Sequence, residues 1–165
     1  MQKYKNAHIW LFLAFLVAII GFANSYWSNF TQATWDWHLH GITASVWYLF
    51  IVIQPYLATH GKLMSHKKLG MLGLILAGGV AFSALNVIDG NIKGAQGETG
   101  PIATETFLYG VSLIDLVSVA GFLFSVVMSV RKVRILDDHA LWMISTVLWA
   151  FMPAFGRLAL MIMFM

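Results

Sequence analysis

The sequence predicts an all-α integral membrane protein: a bundle of five transmembrane helices forming one domain over residues 1–165. Three observations predict it. The chain is 59% hydrophobic and only 10% charged, with a mean hydropathy of +0.76, and a soluble globule of this length needs far more polar side chains to cover its surface. Apolar runs of about 20 residues, long enough to cross hydrocarbon at about 1.5 Å per residue, recur along the chain. Most of the Lys and Arg residues stand in three short clusters at the edges of those runs. Such a pattern sets topology rather than a polyanion site, so nucleic acid is not an expected partner despite the +3 net charge.

The first run, residues 8–26, follows Lys3 and Lys5. Its length and the Gly21-Phe-Ala-Asn-Ser that ends it also fit a cleavable signal segment, and a retained helix is the reading taken here. The second run covers 38–60, the third 69–88, the fourth 106–130 and the fifth 139–164. Residues 89–105 form the longest expected connection, the one Gly-rich stretch, and no repeat or linker divides the chain. Lys3, Lys5, Lys62, Lys67, Lys68, Arg131, Lys132 and Arg134 then fall at one end of the bundle, and Asp36, Asp89, Glu98 and Glu105 with Lys93 at the other. Positive loops face the cytoplasm, which predicts a cytoplasmic N-terminus and a C-terminus outside. Trp27, Trp35 and Trp37 are expected to form an outer aromatic belt.

Threading the helices sorts the histidines by depth. His8, His60, His66 and His139 belong to the inner end, and His38 and His40 to the outer one. An amphipathic ring is at home at any membrane interface, so each histidine alone has that simple explanation. Four helices contributing imidazoles at one depth also fit a ligand set for iron, copper or zinc. No His-x-x-x-His pair lies on one helix, so such a set has to be assembled between helices. The absence of cysteine removes thiolate ligands, iron–sulfur clusters and disulfides.

Two charges fall inside the membrane, Asp115 and Arg157. They lie at roughly 15 and 12 Å depth from the outer end. An unpaired charge in hydrocarbon is costly, so the two are expected to pair or to share a hydrogen-bond network, whether as a structural clamp or as a functional site. On helix 2, His40, Trp47 and Gln54 recur every seven residues and share a face. On helix 5, His139, Trp142, Met143, Thr146, Ala150, Pro153 and Arg157 follow a three-or-four rhythm. Both stripes turn inward, and Gln54 beside Pro55 places a buried amide next to a helix-disturbing residue. Gly70, Gly73, Gly78 and Gly79 permit close approach to helix 3, which is expected at the centre of the bundle, against another helix or a flat cofactor.

The segment from His38 and His40 through Trp47, Gln54-Pro55 and His66-Lys-Lys-Leu-Gly70, with His139-Ala-Leu-Trp142-Met143, Pro153 and Arg157, resembles small bacterial multi-helix membrane proteins of unknown function. Those families start one helix with His-Arg-x-Leu-Gly and the last with His-x-x-Trp-Met; here Lys67 stands in place of the Arg. They are in turn distantly similar to the transmembrane cytochrome b (di-haem) superfamily. The resemblance implies a bacterial inner-membrane location and a b-type haem held by His66 and His139, with no partner available to His40 for a second haem.

Three functions follow as expectations. The first is a redox protein in electron transport, with haem b on His66 and His139 and quinone near Gln54 and Trp47. The second is a non-haem metal-dependent membrane enzyme, with zinc, iron or copper on three or more of His8, His60, His66 and His139 and with Asp137 or Asp138 as base or ligand. The third is a proton-coupled carrier or assembly subunit, with a relay through Asp115, Arg157 and the histidines, acting as a homo-oligomer or beside a partner membrane subunit. No Gly-x-Ser-x-Gly or phosphate-loop element occurs.

Overall fold

A computed structural model describes the backbone of residues 2–97 and 102–163 and the side chains of 3–96 and 108–156. Among the described residues every regular element is helical. The helices are α1 (Ala7–Gly21), α2 (Trp35–Thr59), α3 (Leu63–Gly97), α4 (Ile102–Arg131) and α5 (Leu136–Met163), with 3-10 turns at Gln2–Tyr4 and Trp27–Gln32. Among the described residues, four helical stretches are long and apolar enough to cross a membrane: Trp35–Thr59, Leu63–Gln96, Leu108–Arg131 and Leu136–Gly156. α1 is apolar but has 15 residues, about 22 Å.

α1 stops sooner than the apolar run that contains it. At Gly21 the chain passes so close to α5 that a Cβ would stand 2.6 Å from the Ala154 carbonyl oxygen. Beyond it the backbone turns into the 3-10 segment, held by Ser28 Oγ on the Ala23 carbonyl (2.9 Å) and Asn29 Nδ2 on the Asn24 carbonyl (3.1 Å). These side-chain bonds offer the backbone an alternative to continuing the helix.

α3 departs from expectation in the other direction. Its 35 residues extend about 52 Å, well past a hydrocarbon layer of about 30 Å. The helix absorbs Leu63–Lys68 at one end and most of the expected 89–105 connection at the other. Asp89 and Lys93, one turn apart, form an ion pair of 2.6 Å on its surface, and no proline occurs between Leu63 and Gly97. The glycines there weaken a helix by about 1 kcal/mol each without stopping it.

The α2–α3 turn follows from one residue. Gly61 has φ +75, the Lys62 amide donates to the Leu57 carbonyl (3.0 Å) and the His60 amide to Tyr56 (3.1 Å), a Schellman-type ending that needs a residue at ease in the left-handed region.

Each helix packs on the next, and α1 closes the ring against α5, with α2 and α5 also meeting across it. α3 is therefore a wall rather than the centre. On its glycine face Gly73 is met by the Phe50 ring, whereas Gly70 and Gly78 are open. Polarity runs inside out. Gln54, Ser83, Ser112, Asp115, Ser118, Ser125, Ser129 and Thr146 are buried, whereas Leu113, Ile114, Val117, Phe124 and Val127 of α4 and Ile75 and Phe82 of α3 are exposed. Such a surface is stable against lipid and not against water.

Candidate functional site

The N-terminal turn, the α2–α3 turn and the α4–α5 turn share one end of the molecule. Tyr4 donates to Asp137 (2.9 Å), Lys3 pairs with the same carboxylate (3.6 Å) and His8 meets His60. That carboxylate holds the Lys3 ammonium above its ordinary pKa. Asp138 is 3.3 Å from Lys132. Both acidic residues expected beside a metal are thus engaged in exposed ion pairs.

The four inner histidines do not form one cluster. They fall into two pairs, His8 with His60 and His66 with His139, each with ring centres 6.3 Å apart. No group of three or more His, Cys, Asp or Glu placed to hold a metal ion occurs among the described residues. A catalytic zinc site takes three protein ligands and a structural one four, so the described histidines do not assemble the expected non-haem set.

The two pairs are held differently. His60 is exposed, stacks on Tyr56 of its own helix (4.1 Å between ring centres) and points Nδ1 at the Tyr56 carbonyl (2.9 Å). His66 and His139 are half-buried, and each uses Nδ1 on the main chain of another helix. His66 bonds the Gln54 carbonyl of α2 (3.3 Å) and His139 the Ser129 carbonyl of α4 (2.9 Å). Ser129 lies in the last turn of α4, where carbonyls lack a helical donor: Val133 donates to Val130 instead (3.3 Å). His139 therefore caps α4 from the first turn of α5. Carbonyls only accept, so both rings donate from Nδ1, and in the neutral ring Nε2 is then the lone pair, the arrangement in which imidazoles bind metals.

Gln54 stands beside this pair through its own backbone. Its side chain is 6% exposed, and neither amide atom has a hydrogen-bond partner. A buried amide in that state costs several kcal/mol unless something else meets it.

The other predicted residues gather in the opposite half. Trp47 is 1% exposed, donates from Nε1 to Thr146 Oγ1 (3.3 Å), stacks on Phe50 and meets the Phe122 ring edge-on at 5.0 Å. With His40, Tyr48, Asp115, Ser118, Trp149 and Pro153 it walls a cavity of about 100 Å3. His40 Nδ1 is 3.2 Å from Ser83 Oγ, which also bonds Thr43 (2.8 Å). Asp115 is thus buried at a cavity shared by α2–α5, while the Arg157 side chain lies outside the described residues. Trp37 turns toward this cavity rather than joining the outer belt. Trp27 and Trp35 remain exposed, around a cup closed by Tyr26 and His38, whose Oη and Nδ1 are 2.8 Å apart.

Sequence reasoning missed the serines. Ser112, Asp115, Ser118, Ser125 and Ser129 are all buried on one face of α4, over about 25 Å. Their spacing of three, three, seven and four is the helical face period; it was readable, but serine is common enough in membrane helices to pass as packing.

No family model, no curated protein and no solved structure compared with the chain matches it. The class that can be stated is a multi-pass helical membrane bundle with a polar interior.

Proposed function

We propose that the protein is a redox protein of the bacterial inner membrane whose His66 and His139 together ligate one b-type haem. The observation that carries the reading is the pair itself. Two imidazoles from different helices have ring centres 6.3 Å apart, and each has its Nδ1 tied to a backbone carbonyl. An iron between two imidazoles needs two bonds of about 2 Å plus roughly 1 Å from each nitrogen to its ring centre, about 6 Å in all. Two protein ligands are too few for a zinc enzyme and suffice for a haem, whose macrocycle brings four nitrogens. A bound haem supplies a one-electron change at iron. The chain's own part is to fix both rings through their Nδ1 bonds and to set the Gln54 amide beside them.

The unpartnered Gln54 amide is where a quinone carbonyl or a haem propionate finds a donor, and it is the contact through which electrons are exchanged with quinone. Trp47, committed to Thr146, contributes wall rather than a hydrogen bond. α1 and the 3-10 segment after it complete a fifth crossing, with the N-terminus cytoplasmic and the C-terminus outside. The gathering of Lys3, Lys62, Lys67, Lys68, Arg131 and Lys132 near the shared end supports this.

The test is an absorption spectrum of protein purified after expression with ample haem supply. A Soret band that shifts on dithionite reduction is expected. Its absence ends the haem reading.

A further inference from the structure

Buried polar atoms without partners are rare in folded proteins, and here, apart from His8 Nδ1 at the inner end, those of Ser112, Tyr48, Gln54 and Ser125 fall into two groups. In the outer half, Ser112, buried on α4, has an unpartnered Oγ, and at mid-depth, one residue past Trp47, Tyr48 walls the cavity with a hydroxyl that has no partner. In the inner half, the Gln54 amide and the Ser125 hydroxyl, 6% and 0% exposed, are unpartnered as well. In a lipid-embedded bundle such groups are met by internal water, and a 100 Å3 cavity holds about three molecules at about 30 Å3 each. Between Ser112 and Gln54 lies a mostly apolar layer: the Trp47–Phe122 contact at 5.0 Å, with Phe50 and Val147 buried around it and the Trp47–Thr146 hydrogen bond within it.

We propose that the bundle carries protons through its interior along two hydrated half-paths, one from the His40–Asp115 cavity and one from the His66–His139 end, which meet at a gate formed by Trp47 and Phe122. Water in each half-path passes the proton by exchange of O–H bonds with hydroxyls and the Gln54 amide as fixed partners, and no oxidant or reductant is needed. A narrow apolar ring blocks conduction by excluding water and opens with a small ring displacement. This inference does not depend on haem.

The experiment reconstitutes the full chain in liposomes containing a pH-sensitive dye, with a potassium diffusion potential set by valinomycin. Phe122→Ala should conduct protons at least tenfold faster than the wild type. Adding Gln54→Met, which keeps the volume and removes the amide, should reduce that flux at least threefold. A Phe122→Ala flux equal to the wild type, or one indifferent to Gln54→Met, overturns the proposal. Thermal unfolding of Tyr48→Phe in detergent gives an independent reading that does not rely on the Phe122 variant folding. A hydrated hydroxyl predicts an unchanged or lowered Tm, whereas a rise of several degrees shows a dry cavity and also overturns it.

Discussion

His66 and His139 come from α3 and α5, and each binds a carbonyl of a third element, so four helices determine where the two rings stand. His60 is bound to its own helix at Tyr56, and His8 reaches it only through ring edges, with its Nδ1 unpartnered. Equal ring separations thus conceal different construction. A ring held by other helices keeps its position when its own helix frays, whereas a ring held one turn back moves with the local backbone. Pre-organisation of this kind distinguishes a ligand-binding pair from neighbours.

The largest expected effect breaks the comparison at the histidines. His66→Ala or His139→Ala should each abolish the Soret absorbance of purified protein, while His8→Ala and His60→Ala leave at least most of it. Equal losses from all four would erase the distinction, and loss only with His8 and His60 would reverse it. Gln54→Met belongs to the first group in kind and should slow quinol-driven reduction without removing the absorbance.

Contacts between helices should likewise outweigh contacts within one. Gly73 abuts Phe50 and Gly121 abuts Trp149 so closely that a Cβ at either meets ring carbon. Gly73→Ala and Gly121→Ala are expected to lower stability by about 1–3 kcal/mol, as overpacking does, measured as unfolding in detergent. Gly70→Ala and Gly78→Ala, with nothing within 4 Å of the added carbon, are the matched controls and should be neutral or slightly stabilising. Gly61 is a third case, open in space but at φ +75. Its replacement by Ala should cost about 1 kcal/mol through the backbone alone.

How much of this was legible in the sequence divides along the same line. Depth along a helix is a linear quantity, so the inner histidines could be placed at one end and Asp115 within the membrane by counting residues. Adjacency between helices is not linear. Nothing in the order of residues says that α1 closes on α5, that α3 is a wall, or that Asp137 faces Tyr4 instead of a metal. The four-histidine set failed for that reason: equal depth was legible and azimuth was not. Helix ends were the other failure, because the turn after α1 is held by side-chain bonds of Ser28 and Asn29 and the extension of α3 carries a surface ion pair and a buried Ala95, and none of these leaves a hydropathy signal. The serine face of α4 was present at helical spacing, but only burial of Ser125 and Ser129 to 0% and 1% distinguishes it from packing.

The smallest expected effect tests the far end of α3, where a surface ion pair within one turn adds to the packing of Ala95, 2% exposed, and of Gly94 near Leu108 of α4. Asp89 and Lys93 are both largely exposed, so solvent and salt screen their attraction and the pair adds little to global stability. Its role is to keep one turn of helix intact beyond the hydrocarbon. Lys93→Ala should therefore leave the unfolding temperature and any haem absorbance unchanged, yet accelerate amide hydrogen exchange at residues 90–96. Raising the salt concentration should do the same to the wild type to a lesser degree. If exchange there is already as fast in the wild type as in the variant, the segment is held by something other than the ion pair. If instead the variant loses stability throughout, the ion pair supports the packing of Ala95 on the bundle, and the division between contacts within a helix and contacts between helices fails at this end of α3.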